Sequence, residues 1–178
     1  MKDNKKLASQ WFQVLRDKIV QELQLIETNY SIANNLQPGI FEVTPWMRKE
    51  GGGGEMSIIR GNCFEKLGVN ISTVFGDLDP AFRAQIPGTE DSPEFFATGI
   101  SVVSHPSSPM VPIAHFNTRY ISTTKSWFGG GADLTPIYPN AEETKFFHQG
   151  LKDACDKYRD GSYQEYAEYC DRYFYLPH

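Results

Sequence analysis

Cysteine is scarce in this chain: Cys63, Cys155 and Cys170 are all there are, widely spaced and with no C-x-x-C. An odd, scattered set excludes a disulfide framework and a cysteine zinc site, and leaves ordinary thiols. Long apolar runs are missing too. Nothing approaches the ~20 residues needed to span a bilayer, and the opening MKDNKK lacks the apolar stretch of a signal peptide, so a cytoplasmic protein with no transmembrane segment is expected. Positive charge is in short supply: Lys and Arg number 17 against 22 Asp and Glu, a net charge of −5. That balance argues against nucleic-acid binding, although a local cationic strip can still hold an anion. The run Gly51 to Gly54 is not followed by the Gly-Lys-Ser/Thr of a phosphate-binding loop, which excludes that nucleotide site and leaves a mobile hairpin as the expectation.

What is present suits a globular domain. With 40% apolar residues in 178, the chain can build one sizeable core, and one domain is the default. Leu7 to about Thr28 is predicted helical, with Leu15, Ile19, Leu23 and Ile26 in an apolar stripe extended by Trp11 and Phe12. Beyond Pro38 the segments IFEVTPWMR, EMSIIRG and VNISTVFG read as strands of an antiparallel sheet. A helix is predicted to start at Pro139 and Asn140, with Asn140 as N-cap and Glu143 completing a capping-box pair. Its inner stripe is Phe147, Leu151, Cys155 and Tyr158, with His148 at the edge. A last helix near Tyr163 to Phe174 puts Tyr166, Tyr169, Cys170 and Tyr173 on one face, read as core.

The chemistry concentrates between Phe95 and Tyr138. In VPIAHFNTRYI, strand alternation sets His115, Asn117 and Arg119 on one face and turns Phe116 and Tyr120 to the other. A titratable imidazole, an amide and a planar guanidinium in one row suit a carboxylate-bearing ligand with proton transfer nearby. The preceding FFATGISVVSHP repeats the pattern with Ser101, Val103 and His105. If PSSPMVP reverses the chain, the two strands pair antiparallel and their polar groups line one surface. GGGADLTP follows, its glycines permitting close backbone approach or positive φ, and delivers Asp133 beside the strip, to orient a base or bind an N–H donor. Solvent-facing polar residues and an ordinary turn aspartate are the plain alternatives.

The blocks FEKLGVNIS, ATGISVVSHP, VPIAHFNTRYI, WFGGGADLTP and YFYLPH, in this order, strongly resemble the oxygen-dependent coproporphyrinogen III oxidases of haem biosynthesis. The resemblance runs from the first helix to His178. It implies an α+β fold, a large antiparallel β-sheet flanked by α-helices on both faces, assembled as a homodimer with substrate in a cleft on the sheet. It implies oxidative decarboxylation of two propionates of coproporphyrinogen III to the vinyls of protoporphyrinogen IX, with molecular oxygen as co-substrate and no organic redox cofactor. By position, Ser101, Asn117, Thr118 and Arg119 match substrate contacts, His115 a proposed acid/base residue, and Asp133 a carboxylate facing the tetrapyrrole. His105, His115, His148 and His178 fall in motifs that some bacterial members are proposed to use for a divalent metal cation, though no HxH or HExxH spacing supports a local site.

The family continues beyond YFYLPH into an arginine- and glycine-rich segment. The expectation is therefore one coproporphyrinogen oxidase domain over 1–178, C-terminally truncated, with a sheet edge or face left uncovered and poor solubility or altered association as the consequence. The alternatives are a metal-dependent non-haem oxygenase built on the histidines, and a non-catalytic porphyrin-binding fragment.

Overall fold

The computed structural model describes residues 2–83 and 85–177. The chain divides into two compact units, Met1–Ile137 and Tyr138–His178. The first contains one long helix, α1 (Lys2–Ala33), and six strands: β1 (Glu42–Met47), β2 (Gly52–Ile59), β3 (Phe64–Asp77), β4 (Glu94–Pro106), β5 (Ile113–Ser122) and β6 (Ser126–Thr135). A single turn of helix, α2 (Pro80–Arg83), interrupts the β3–β4 connection. The strands pair in chain order, each antiparallel to the next, as a meander. The α+β class and the antiparallel sheet expected from the sequence are both present.

α1 is longer at both ends than predicted. No glycine or proline occurs between Lys2 and Gln37, so no breaker stops the helix at the ends of the apolar stripe. It stops where Asn35 takes a left-handed φ of 57° and the Leu36 N–H closes onto the Ser31 carbonyl at 2.8 Å. Ala8 and Phe12 are buried against the sheet, with Leu15, Ile19, Val20 and Leu23 packed alongside. Ile26 and Trp11, expected in that stripe, are instead exposed. The sheet-facing line continues through Glu27 and Ser31, both fully buried, because β2–β3 loop donors meet it there.

The core is one face of the sheet. Leu67, Val69 and Ile71 on β3, Ile100 on β4 and Tyr120 on β5 lie under α1, the four aliphatic side chains each contributing roughly 1.5–3 kcal/mol by leaving water. Pro45 sits in β1, an edge strand, where a missing N–H leaves no central ladder bond unmade. The expected mobile glycine hairpin is narrower than predicted. Gly52, Gly53 and Gly54 are paired residues of β2, and Gly51, with φ 130°, belongs to the turn. Likewise Gly129, Gly130 and Gly131 are paired in β6, without positive φ.

The second unit contains α3 (Ala141–Tyr158) and α4 (Ser162–Tyr173). Asn140 caps α3 as predicted, its side chain accepting from the Glu142 and Glu143 N–H groups at 3.0 and 3.3 Å. The Ser162 hydroxyl donates to the Cys155 carbonyl at 2.7 Å, tying the two helices together. Two packing expectations are corrected here. Tyr158 is exposed on α3, and Tyr166, Tyr169 and Tyr173 are exposed on α4. Two short helices have too little facing surface to enclose phenol rings, so Tyr169 and Tyr173 stack on each other instead.

Candidate functional site

Within the first unit α1 covers one face of the sheet, and no described helix of that unit packs on the other. The register lays out the open face in transverse rows. One row reads Trp46, Gly54, Ser72, Gly99, Arg119, Gly129 from β1 to β6. The next reads Thr44, Met56, Asn70, Ser101, Asn117, Gly131, and the third ends in Val103, His115 and Asp133.

Glycine shapes the first row. At Gly99 a Cβ would lie 2.7 Å from the Thr118 carbonyl oxygen and 3.0 Å from the Arg119 Cβ. At Gly54 it would strike the Ile71 carbonyl and the Trp46 indole, which lies over this position. Bare backbone between Trp46 and Arg119 thus forms the floor of a shallow cleft of about 500 Å³, also lined by Asn70, Ser72, Ser101 and Asn117. Its size is that of a small-molecule site, and its floor suits a flat ligand.

The polar groups are linked. Arg119 Nη2 donates to Asn117 Oδ1 at 2.7 Å, which fixes the guanidinium plane and leaves its other donors free. His115 Nδ1 lies 2.7 Å from Asp133 Oδ1, from directly opposed positions on β5 and β6. A carboxylate only accepts, so Nδ1 carries a proton, and in the neutral ring the lone pair is then on Nε2. Both side chains are open, 39% and 47% exposed, so a ligand can reach the pair.

The structure thus brings together Ser101, His115, Asn117, Arg119 and Asp133 on one face, with Ser101 directly opposite Asn117. Thr118 points to the other face by alternation, and it meets the cleft through its backbone. His105 stands on the open face opposite Lys66, one row beyond His115. His148 belongs to the second unit, where its Nδ1 shares a 2.8 Å hydrogen bond with the Tyr163 hydroxyl. His178 lies outside the described residues. Among the described residues no group of three or more His, Cys, Asp or Glu side chains is disposed to hold a metal ion.

Sequence reasoning missed Asn70, Trp46, Ser72 and the floor glycines. The signal for Asn70 was available: in GVNIS, Val69 and Ile71 are core, so alternation sends Asn70 to the face of Ser101. Trp46 carried no such signal, because its place depends on the pairing of β1.

The family model described as coproporphyrinogen III oxidase matches residues 7–178. The chain belongs to this family. The match to the coproporphyrinogen III oxidase family includes every strand that builds the cleft. An oxygen-dependent coproporphyrinogen-III oxidase of Rickettsia bellii (strain OSU 85-389) is 55% identical over 177 residues, covering 99% of this chain and 63% of the relative. The protein of that name from Rickettsia akari (strain Hartford) is 54% identical over 176 residues, with the same coverage. The chain thus spans 63% of the length of these curated relatives.

Proposed function

We propose that this chain binds coproporphyrinogen III on the open sheet face and takes part in its oxygen-dependent decarboxylation to protoporphyrinogen IX. The observation that carries the reading is the 2.7 Å His115–Asp133 pair beside the Ser101–Asn117–Arg119 cluster. It joins a proton-transfer group to an anion anchor at the edge of a glycine-floored cleft. Family membership and the relatives' printed names support the substrate and the reaction.

In each turnover a propionate and one oxygen molecule become a vinyl group, carbon dioxide and hydrogen peroxide. The electron-rich pyrrole of the reduced substrate supplies the electrons, so the protein's part is orientation, proton transfer and electrostatics. Arg119 takes a propionate carboxylate, matching both its charge and its plane. Asn117, Ser101 and the Thr118 backbone fix the ring beside it. Asp133 holds the His115 ring so that Nε2 presents its lone pair, able to take a substrate proton and return it. The second oxygen of Asp133 is free to accept a pyrrole N–H. No step requires a metal or an organic cofactor held by these residues. The proposed assembly is a homodimer in the cytoplasm, and the exposed Leu7, Trp11 and Val14 of α1 supply apolar surface for association.

The test is aerobic incubation with coproporphyrinogen III in dim light, following vinyl product and carbon dioxide against a protein-free control. Protein-dependent decarboxylation supports the reading. Binding without turnover would favour a porphyrin-binding role for these 178 residues, and loss of turnover with loss of bound iron on chelation would favour a metal oxygenase.

A further inference from the structure

Asn70 lies on the cleft floor between Met56 and Ser101, one strand from Ser101 and two from Asn117 in the same transverse row. Its Oδ1 is buried and has no hydrogen-bond partner among the described residues. An acceptor removed from water and left unpaired is unfavourable in the empty protein, and such an atom calls for an explanation. The amide nitrogen sits against Gly68, where an added Cβ would stand a tight 3.3 Å from Asn70 Nδ2. The terminal torsion of asparagine is broad and roughly two-fold, so the amide can turn its oxygen toward the cleft when a donor arrives.

The substrate class follows from complementarity. A tetrapyrrole tetracarboxylate at neutral pH offers acceptors at its carboxylates and donors only at its pyrrole N–H groups. An orphaned acceptor on the floor therefore matches the ring centre, not the propionates, whereas Arg119 matches the propionates and not the ring. We propose that Asn70 is a substrate-positioning residue whose amide oxygen accepts a pyrrole N–H and so selects an N–H-bearing tetrapyrrole over its metal complex. This assignment rests on the functional reading above and adds a residue and a selection to it.

Two ligands separate the outcomes: coproporphyrinogen III, kept anaerobic, and zinc(II) coproporphyrin III, which keeps the four carboxylates and has no pyrrole N–H. Dissociation constants and thermal midpoints are measured for the unaltered chain, Asn70→Leu and Asn70→Ala. The expected result is about tenfold weaker binding of coproporphyrinogen III by both variants, the effect of losing one such hydrogen bond. Binding of the zinc ligand stays unchanged, and the thermal midpoint of Asn70→Leu is equal or higher, because an unpaired acceptor has gone. Unchanged binding of coproporphyrinogen III by both variants overturns the proposal. So does equal weakening for both ligands together with a lower midpoint, which marks a merely structural asparagine. If the unaltered chain binds neither ligand, the functional reading fails and the Asn70 assignment falls with it.

Discussion

His115 and Asp133 face each other across β5 and β6 and join at 2.7 Å, Nδ1 to Oδ1, in a half-exposed position. The bond leaves the histidine one free nitrogen and prevents the ring from presenting the other. Asp133→Asn removes the obligate acceptor and frees the tautomer, while His115→Ala removes the base. Each is expected to lower kcat for decarboxylation by about 10²–10⁴-fold, the span of general acid–base catalysis. The double variant is expected to be no worse than the poorer single one, as for residues acting as a unit. Carbon dioxide release from coproporphyrinogen III measures all three; multiplicative losses would show two independent roles.

Arg119 acts differently, since its guanidinium is oriented by Asn117 rather than by an acid. Arg119→Lys keeps the charge and loses the fork, so KM for coproporphyrinogen III is expected to rise about tenfold with kcat nearly held. Steady-state kinetics check this, and an equal fall in kcat at unchanged KM would place Arg119 in the transition state alone.

Much of this site was legible because strand alternation is strict. Once Ser101, His115, Asn117 and Arg119 were assigned to strands, their faces followed, and a chain reversal between Pro106 and Val111 set Ser101 against Asn117. The partner of His115 was only approximately placed. Three consecutive glycines read equally as a turn or a strand, and pairing alone made Gly129 to Gly131 a strand that carries Asp133 into register. Glu27 was invisible for another reason: its partners come from residues 39 and 62–64, and no helical period reports a loop arriving from elsewhere. The tyrosines of α4 misled because aromatic spacing records amphipathicity, not what covers it.

The bare floor predicts a steric effect. Gly99→Val would press a branched side chain against the Thr118 carbonyl and the Arg119 Cβ, and would raise the floor between Ser72 and Arg119. Binding of coproporphyrin III, followed by fluorescence, is expected to weaken at least tenfold, with about 1–3 kcal/mol of stability lost to overpacking. Full affinity at reduced stability would show that the ligand does not lie across this row.

The stability of the first unit turns on Glu27. Its carboxylate is fully buried and accepts from the backbone N–H groups of Gly39, Asn62, Cys63 and Phe64, at 3.2, 2.7, 2.9 and 3.3 Å, and from the Ser31 hydroxyl at 3.0 Å. Burial alone pushes the carboxyl pKa up, but the N–H donors of Asn62, Gly39 and Cys63 outweigh it and hold the group below its ordinary value of 4.5. Because the folded pKa is depressed, this stabilisation is fully present above the unfolded value and is lost as pH falls through the folded one. Glu27→Ala leaves those donors unpaired and is expected to cost about 3–5 kcal/mol, with a flattened acid limb of the stability curve. Gly61→Ala reaches the same contact from the other side, since its Cβ would fall 2.2 Å from the Glu27 carboxylate. Urea unfolding at several pH values measures both variants, and an acid limb that persists in Glu27→Ala would assign the pH dependence to other carboxylates.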